Sequence, residues 1–145
     1  MTIWRLMEAL RDEIKEAVKE YETAQPSGTK DVAVYAGFPP ERDTPEEQES
    51  FIYCLVNKWT DTGDSDQYST AAVEIGFNVY HEGEMDALAN LLEHVRQHLL
   101  AHRIVANRYA LMLPLKGEIP TQQPYPNWIA RIEASYSVGQ PSYWG

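Results

Sequence analysis

At 145 residues the chain sits near the commonest domain size and can bury roughly two thirds of its unfolded surface, enough for one self-sufficient core. A formal net charge of −10, from 22 acidic and 12 basic residues, excludes a general grip on nucleic acid, which needs clustered Lys and Arg to neutralise phosphates. Cys54 is the single cysteine, so neither an intrachain disulfide nor a thiolate metal site can form within one chain.

The first residues, Met1 to Leu6, lack the basic segment, apolar run and small-residue cleavage site of a secretory signal. No apolar stretch approaches the ~20 residues that cross a bilayer. The chain is therefore expected to be soluble, made in a reducing cytoplasm, and without a membrane partner.

Ile3, Leu6, Met7, Leu10, Ile14, Val18 and Tyr21 recur at steps of three and four, the apolar stripe of an amphipathic helix from Thr2, as N-cap, to Glu22. Glu8, Asp12, Glu16 and Glu20 form a row beside Arg11, Lys15 and Lys19, so opposite charges meet three residues apart on a solvated face. The loop from Ala24 to Thr29 leads into a short strand at Val32, Val34 and Ala36, which Gly37 to Pro40 ends. Glu41 to Glu49 has no apolar period and reads as an exposed acidic loop.

Phe51 to Trp59 reads as a strand with Ile52, Cys54 and Val56 on one face and Phe51, Tyr53, Leu55 and Trp59 on the other, so both faces need cover. A turn-rich link carrying Asp61, Asp64 and Asp66 joins it to a strand at Thr70 to Tyr80, in an antiparallel hairpin. Glu84 to His102, with Leu88, Leu91, Leu92, Val95 and Leu99, is a second amphipathic helix. A strand at Ala106 to Leu115 follows, with Tyr109, Leu111, Leu113 and Leu115 alternating and Pro114 marking its end or a sheet edge. In the last strand Trp128, Ala130, Ile132, Ala134 and Tyr136 share one face, the small alanines leaving room for a helix across it. The fold expected is α+β, one domain over residues 1–145, with a mainly antiparallel sheet of about four to five strands and two helices packed on one face.

Little catalytic chemistry is present. There is no Gly-rich phosphate loop, no nucleophile elbow and no signature around Cys54, which reads as a small buried hydrophobe, so the chain is not expected to be an enzyme or to hold a cofactor. His94, His98 and His102 recur at i, i+4 and i+8, but a rise of ~1.5 Å per residue puts the outer pair roughly 12 Å apart, too far for one zinc ion. Asp61, Asp64 and Asp66 lack the spacing of a calcium loop. No metal site is expected from either group. Without basic neighbours, the tryptophans and tyrosines read as core and subunit-contact residues, Trp59, Trp128, Tyr136, Tyr143 and Trp144 foremost.

From Ala72 to Val138 the chain resembles the tail-terminator or tail-completion proteins of long-tailed bacteriophages. The resemblance runs through the strand before the second helix, that helix, the leucine-rich strand Tyr109 to Lys116, and the turn Gln123-Pro-Tyr-Pro-Asn-Trp128 entering the last strand. It implies a structural virion protein at the head-proximal end of the tail. There it forms a hexameric ring that caps the tail tube, stops its polymerisation and joins it to head-tail connector or neck proteins. DNA passes through such a ring without specific binding, and Asp61, Asp64 and Asp66 are the candidate carboxylates lining its opening. The alternatives from other classes are a monomeric binding or adaptor module and, further off, a head-tail connector or a metal-dependent hydrolase using the histidines.

Overall fold

The computed structural model describes residues 3–24, 32–39, 50–61 and 68–139. The Thr2 cap, the acidic loop to Glu49, Asp64, Asp66, Tyr143 and Trp144 lie outside them.

Helix α1 (Ile3–Ala24) opens the chain, followed by strands β1 (Ala33–Ala36), β2 (Phe51–Asp61) and β3 (Tyr68–Tyr80). Then come α2 (Asp86–Ala101) and strands β4 (Ile104–Val105), β5 (Tyr109–Glu118) and β6 (Asn127–Gly139). The strands form one six-stranded sheet in the order β1-β2-β3-β6-β5-β4. All pairings are antiparallel except β1 with β2, so the expected α+β class holds with six strands instead of four or five. β6 inserts between β3 and β5 because its alternation supplies apolar residues opposite both neighbours. Ile132 pairs with Ile75, and Tyr136 with Ala71 on one side and Leu111 on the other.

Both helices cover the same face. Leu6, Leu10, Ile14, Val18 and Tyr21 of α1 and Leu88, Leu91, Val95 and Leu99 of α2 are buried with Ile52, Cys54, Val73, Ile75, Phe77, Ala130, Ile132, Ala134 and Tyr136 of the sheet. The alanines of β6 sit where a larger side chain would hold the helices away. The helices run antiparallel, since Glu13 meets His98 while Ala17, further along α1, meets the earlier His94.

Two features of the strands depart from simple alternation. A register shift between Val56 and Lys58 brings Trp59 opposite Ala71, which shares the helix-covered face with Val73. Trp59 therefore leaves the face of Phe51, Tyr53 and Leu55, because one extra residue in a strand inverts every side chain beyond it. In β5 the register shifts between Met112 and Lys116, around Pro114, whose missing N–H cannot join a ladder. Tyr109 and Leu111 stay buried, but Leu113 is 53% exposed, so the four-residue alternation expected there stops at Leu111.

β4 escaped the periodicity because it has only two residues. It joins β5 through Ala106 and Asn107, at φ of 53° and 54°, closed by Arg108 N–H donating to Val105 O at 3.1 Å. Two successive left-handed residues make a tight hairpin turn that Asn-Gly usually marks. Ala-Asn gives no such signal.

Candidate functional site

The face of the sheet away from the helices carries a second set of side chains from β2, β3, β5 and β6. Tyr53 pairs with Gly76, Gly76 with Arg131, and Arg131 with Glu118, which puts these side chains in one row across four strands. The Tyr53 hydroxyl donates to Glu74 Oε2 at 2.8 Å. Arg131 donates to Glu118 Oε2 at 2.6 Å and lies 3.9 Å from Glu74. Burial, and then the bond to Glu74, push the Tyr53 phenol up to about 12. This row fixes a tyrosine, two carboxylates and a guanidinium on a surface also carrying the half-buried Phe51 and Leu55. Arg131 offsets one of the two carboxylates, so the row keeps a negative balance.

At the β5 end of the sheet, Leu92, Leu115, Ile119 and Ile132 line a largely apolar groove, with Arg96, Lys116 and Glu118 also lining it. β4 covers β5 only at Tyr109 and Ala110, so from Met112 onward β5 has its β6 partner alone among the described residues. At the opposite end, Phe38 is 72% exposed and tilts toward the Tyr53 ring at 6.2 Å.

The aromatics singled out from sequence fall into different surroundings. Tyr136 is wholly buried, and its hydroxyl has no hydrogen-bond partner among the described residues. Burial foremost, with Cys54 and Glu13 adding to it, raises its phenol well above the usual range. Trp128 is partly buried at the core margin, where its indole N–H donates to His81 O at 3.0 Å. The same turn gives His81 N–H a partner in Pro126 O at 3.0 Å, and Tyr125 donates to Glu82 O at 2.7 Å. The Pro-Tyr-Pro-Asn-Trp segment thus clamps the exit of β3. Trp59 is 54% exposed. Asp61 is exposed and accepts a hydrogen bond from the Ser69 hydroxyl.

The histidine row forms the seam between the two helices. His94 Nε2 lies 2.9 Å from Ala17 O, and its ring sits 5.3 Å from that of Tyr21. His98 is buried, with Nε2 2.8 Å from Glu13 Oε1. His102 stacks on His98 with ring centroids 4.2 Å apart. Glu13 was missed in the sequence, although a signal was there. It falls at the steps of Leu6, Leu10 and Ala17, a carboxylate inside the buried stripe of α1.

No protein-family model and no curated protein matches the sequence. Among solved structures the chain is similar to a chain in the virion of a native gene transfer agent particle. The two are 14% identical, with a TM-score of 0.49, and the similarity covers 90% of this chain and 92% of the other.

Proposed function

We propose that the protein is a structural subunit of a bacteriophage-like virion, which terminates the tail tube as a hexameric ring and joins it to the neck. The sequence resemblance between Ala72 and Val138 motivates this reading. The observation that carries it is the one-sided cover of the sheet. Both helices lie on one face, while apolar side chains remain exposed at opposite ends of the sheet, Phe38 beyond β1, Leu113 in β5 and Ile119 just after it. A closed ring needs two different patches per subunit, one meeting the other on the next copy, and two opposite ends of one sheet supply such a pair. Exposed apolar groups at such sites favour contact with a neighbour over contact with water.

In this reading the role is structural and the subunit performs no catalysis. Its partners are further copies of itself, the tail tube protein and a head-tail connector or neck protein, and DNA passes through the opening. Light-scattering mass across a concentration series tests the ring. A mass six times that of the 16.6 kDa chain is expected. A monomer at every concentration would sink the ring and favour a monomeric adaptor.

A further inference from the structure

We infer that Glu13, His98 and His102 form a binding site for a zinc-class divalent cation, which staples α1 to the last turn of α2. The inference stands apart from the ring reading. The ligand atoms of the three side chains all lie within 4.8 Å of one another. In a tetrahedral zinc site with bonds of about 2.0 to 2.1 Å, donor atoms sit roughly 3.3 Å apart. His98 Nε2 and Glu13 Oε1, at 2.8 Å, need to open by a fraction of an ångström. The remaining closure falls to His102, whose exposed ring can tilt about its Nδ1 contact with His98 O.

A hydrogen bond between a histidine and a carboxylate accounts for His98 and Glu13 alone. It does not account for His102. That ring is stacked on His98, with interplanar angle 23°, and its Nδ1 is 3.1 Å from His98 O. Placing the proton on Nδ1, donated to the carbonyl, leaves the lone pair on Nε2, the arrangement in which histidines ligate metals. His102 caps α2 with its backbone N–H on His98 O at 2.9 Å, which brings the two imidazoles together at the helix end, and the third donor arrives from α1, a helix distant in sequence.

The donor set decides the cation. Two imidazoles and one carboxylate suit zinc, whereas magnesium and calcium take mainly oxygen donors. His102 lies at the surface, so the fourth position is reachable by water. His94 stands outside the cluster, its ring turned to Ala17 O and Tyr21 one helical turn before His98.

The test uses the full chain and zinc ion alone as probe, with calorimetric titration for stoichiometry and affinity and thermal unfolding as second readout. One equivalent per chain is expected, with a rise in unfolding temperature that millimolar magnesium does not reproduce. Cobalt substitution should give the visible absorption of a four-coordinate site. His102→Ala removes an exposed ligand and Glu13→Gln keeps a hydrogen-bond partner for His98, so both variants should fold. Each should weaken zinc binding by about tenfold or more and lose the thermal shift. His81→Ala, at an exposed histidine elsewhere, should bind as the parent does. Unchanged affinity in both ligand variants, equal response to magnesium, or no stoichiometric binding at micromolar zinc would each overturn the site.

Discussion

The Tyr53 ring lies directly over Gly76 of the neighbouring strand, so close that a Cβ added at residue 76 would sit 2.1 Å from Tyr53 Cε1. Gly76 is thus a requirement of close approach, and the tyrosine's hydroxyl bond to Glu74 fixes the ring there. Gly76→Ala must displace the ring and should cost about 1 to 3 kcal/mol in denaturant unfolding. In a Tyr53→Ala background most of that cost should vanish. Equal penalties in both backgrounds would show that the two residues are not coupled.

Burial pushes the Cys54 thiol up to about 12, with Arg11 opposing, and burial with the Glu74 bond pushes Tyr53 to about 12. Both groups are neutral in the fold and ionise more readily when unfolded. Their contribution is therefore whole below the unfolded values of 9.0 and 10.0, and is lost as pH rises from there toward 12. Cys54→Ala and Tyr53→Phe should flatten the loss of stability across that alkaline window. A curve as steep as the parent's would refute the assignment. At neutral pH the thiol should resist alkylation until the protein unfolds.

Among the described residues Tyr136 is the largest fully buried side chain, and its hydroxyl lacks a partner there. An unpaired buried hydroxyl costs about 1 to 3 kcal/mol, so Tyr136→Phe should be neutral or gain up to about 1 kcal/mol, whereas Tyr136→Ala should lose about 3 to 5. A loss of more than about 1 kcal/mol in the phenylalanine variant would show that the hydroxyl is satisfied.

Ala106 holds φ at 53°, a left-handed conformation that costs a side-chain-bearing residue about 1 kcal/mol or more. Ala106→Gly should raise stability by a similar amount, read from the denaturant midpoint. A decrease would mean that the unfolded chain's gain in freedom outweighs the strain.

If the ring reading holds, the carboxylates Asp61, Asp64 and Asp66 help keep DNA from sticking in the opening. Changing all three to Lys should leave assembly intact and create duplex-DNA retention that fades with salt, because each lysine can release a counterion. Screening limits a charge to about 8 Å at physiological salt, so retention equal to the parent's would place the loop away from the opening. Loss of assembly would place it at a subunit contact.

The long elements were legible in the sequence because each has one buried face and a repeating step. The stripe Leu6, Leu10, Ile14 specifies α1, the leucines specify α2, and the large-small alternation of Trp128 to Tyr136 specifies β6 and the face its helices cover. The alternation of Ile52, Cys54 and Val56 placed Cys54 in the core. What periodicity cannot carry is an interruption in itself or a partner distant in the chain. The shift at Val56/Lys58 moves Trp59 to the other face yet leaves the local sequence looking regular, whereas Pro114 flags the irregularity at Met112/Lys116 without fixing its extent. Only the pairing of strands, set by neighbours, decides where they fall. The placement of Tyr53 over Gly76 and of Glu13 beside His98 joins residues 23 and 85 positions apart. Such contacts exist only once the sheet has ordered its strands and the two helices have packed antiparallel across it. The physical reason is that a hydrogen bond or ring contact acts over a few ångströms, and only the folded chain brings those groups within that reach.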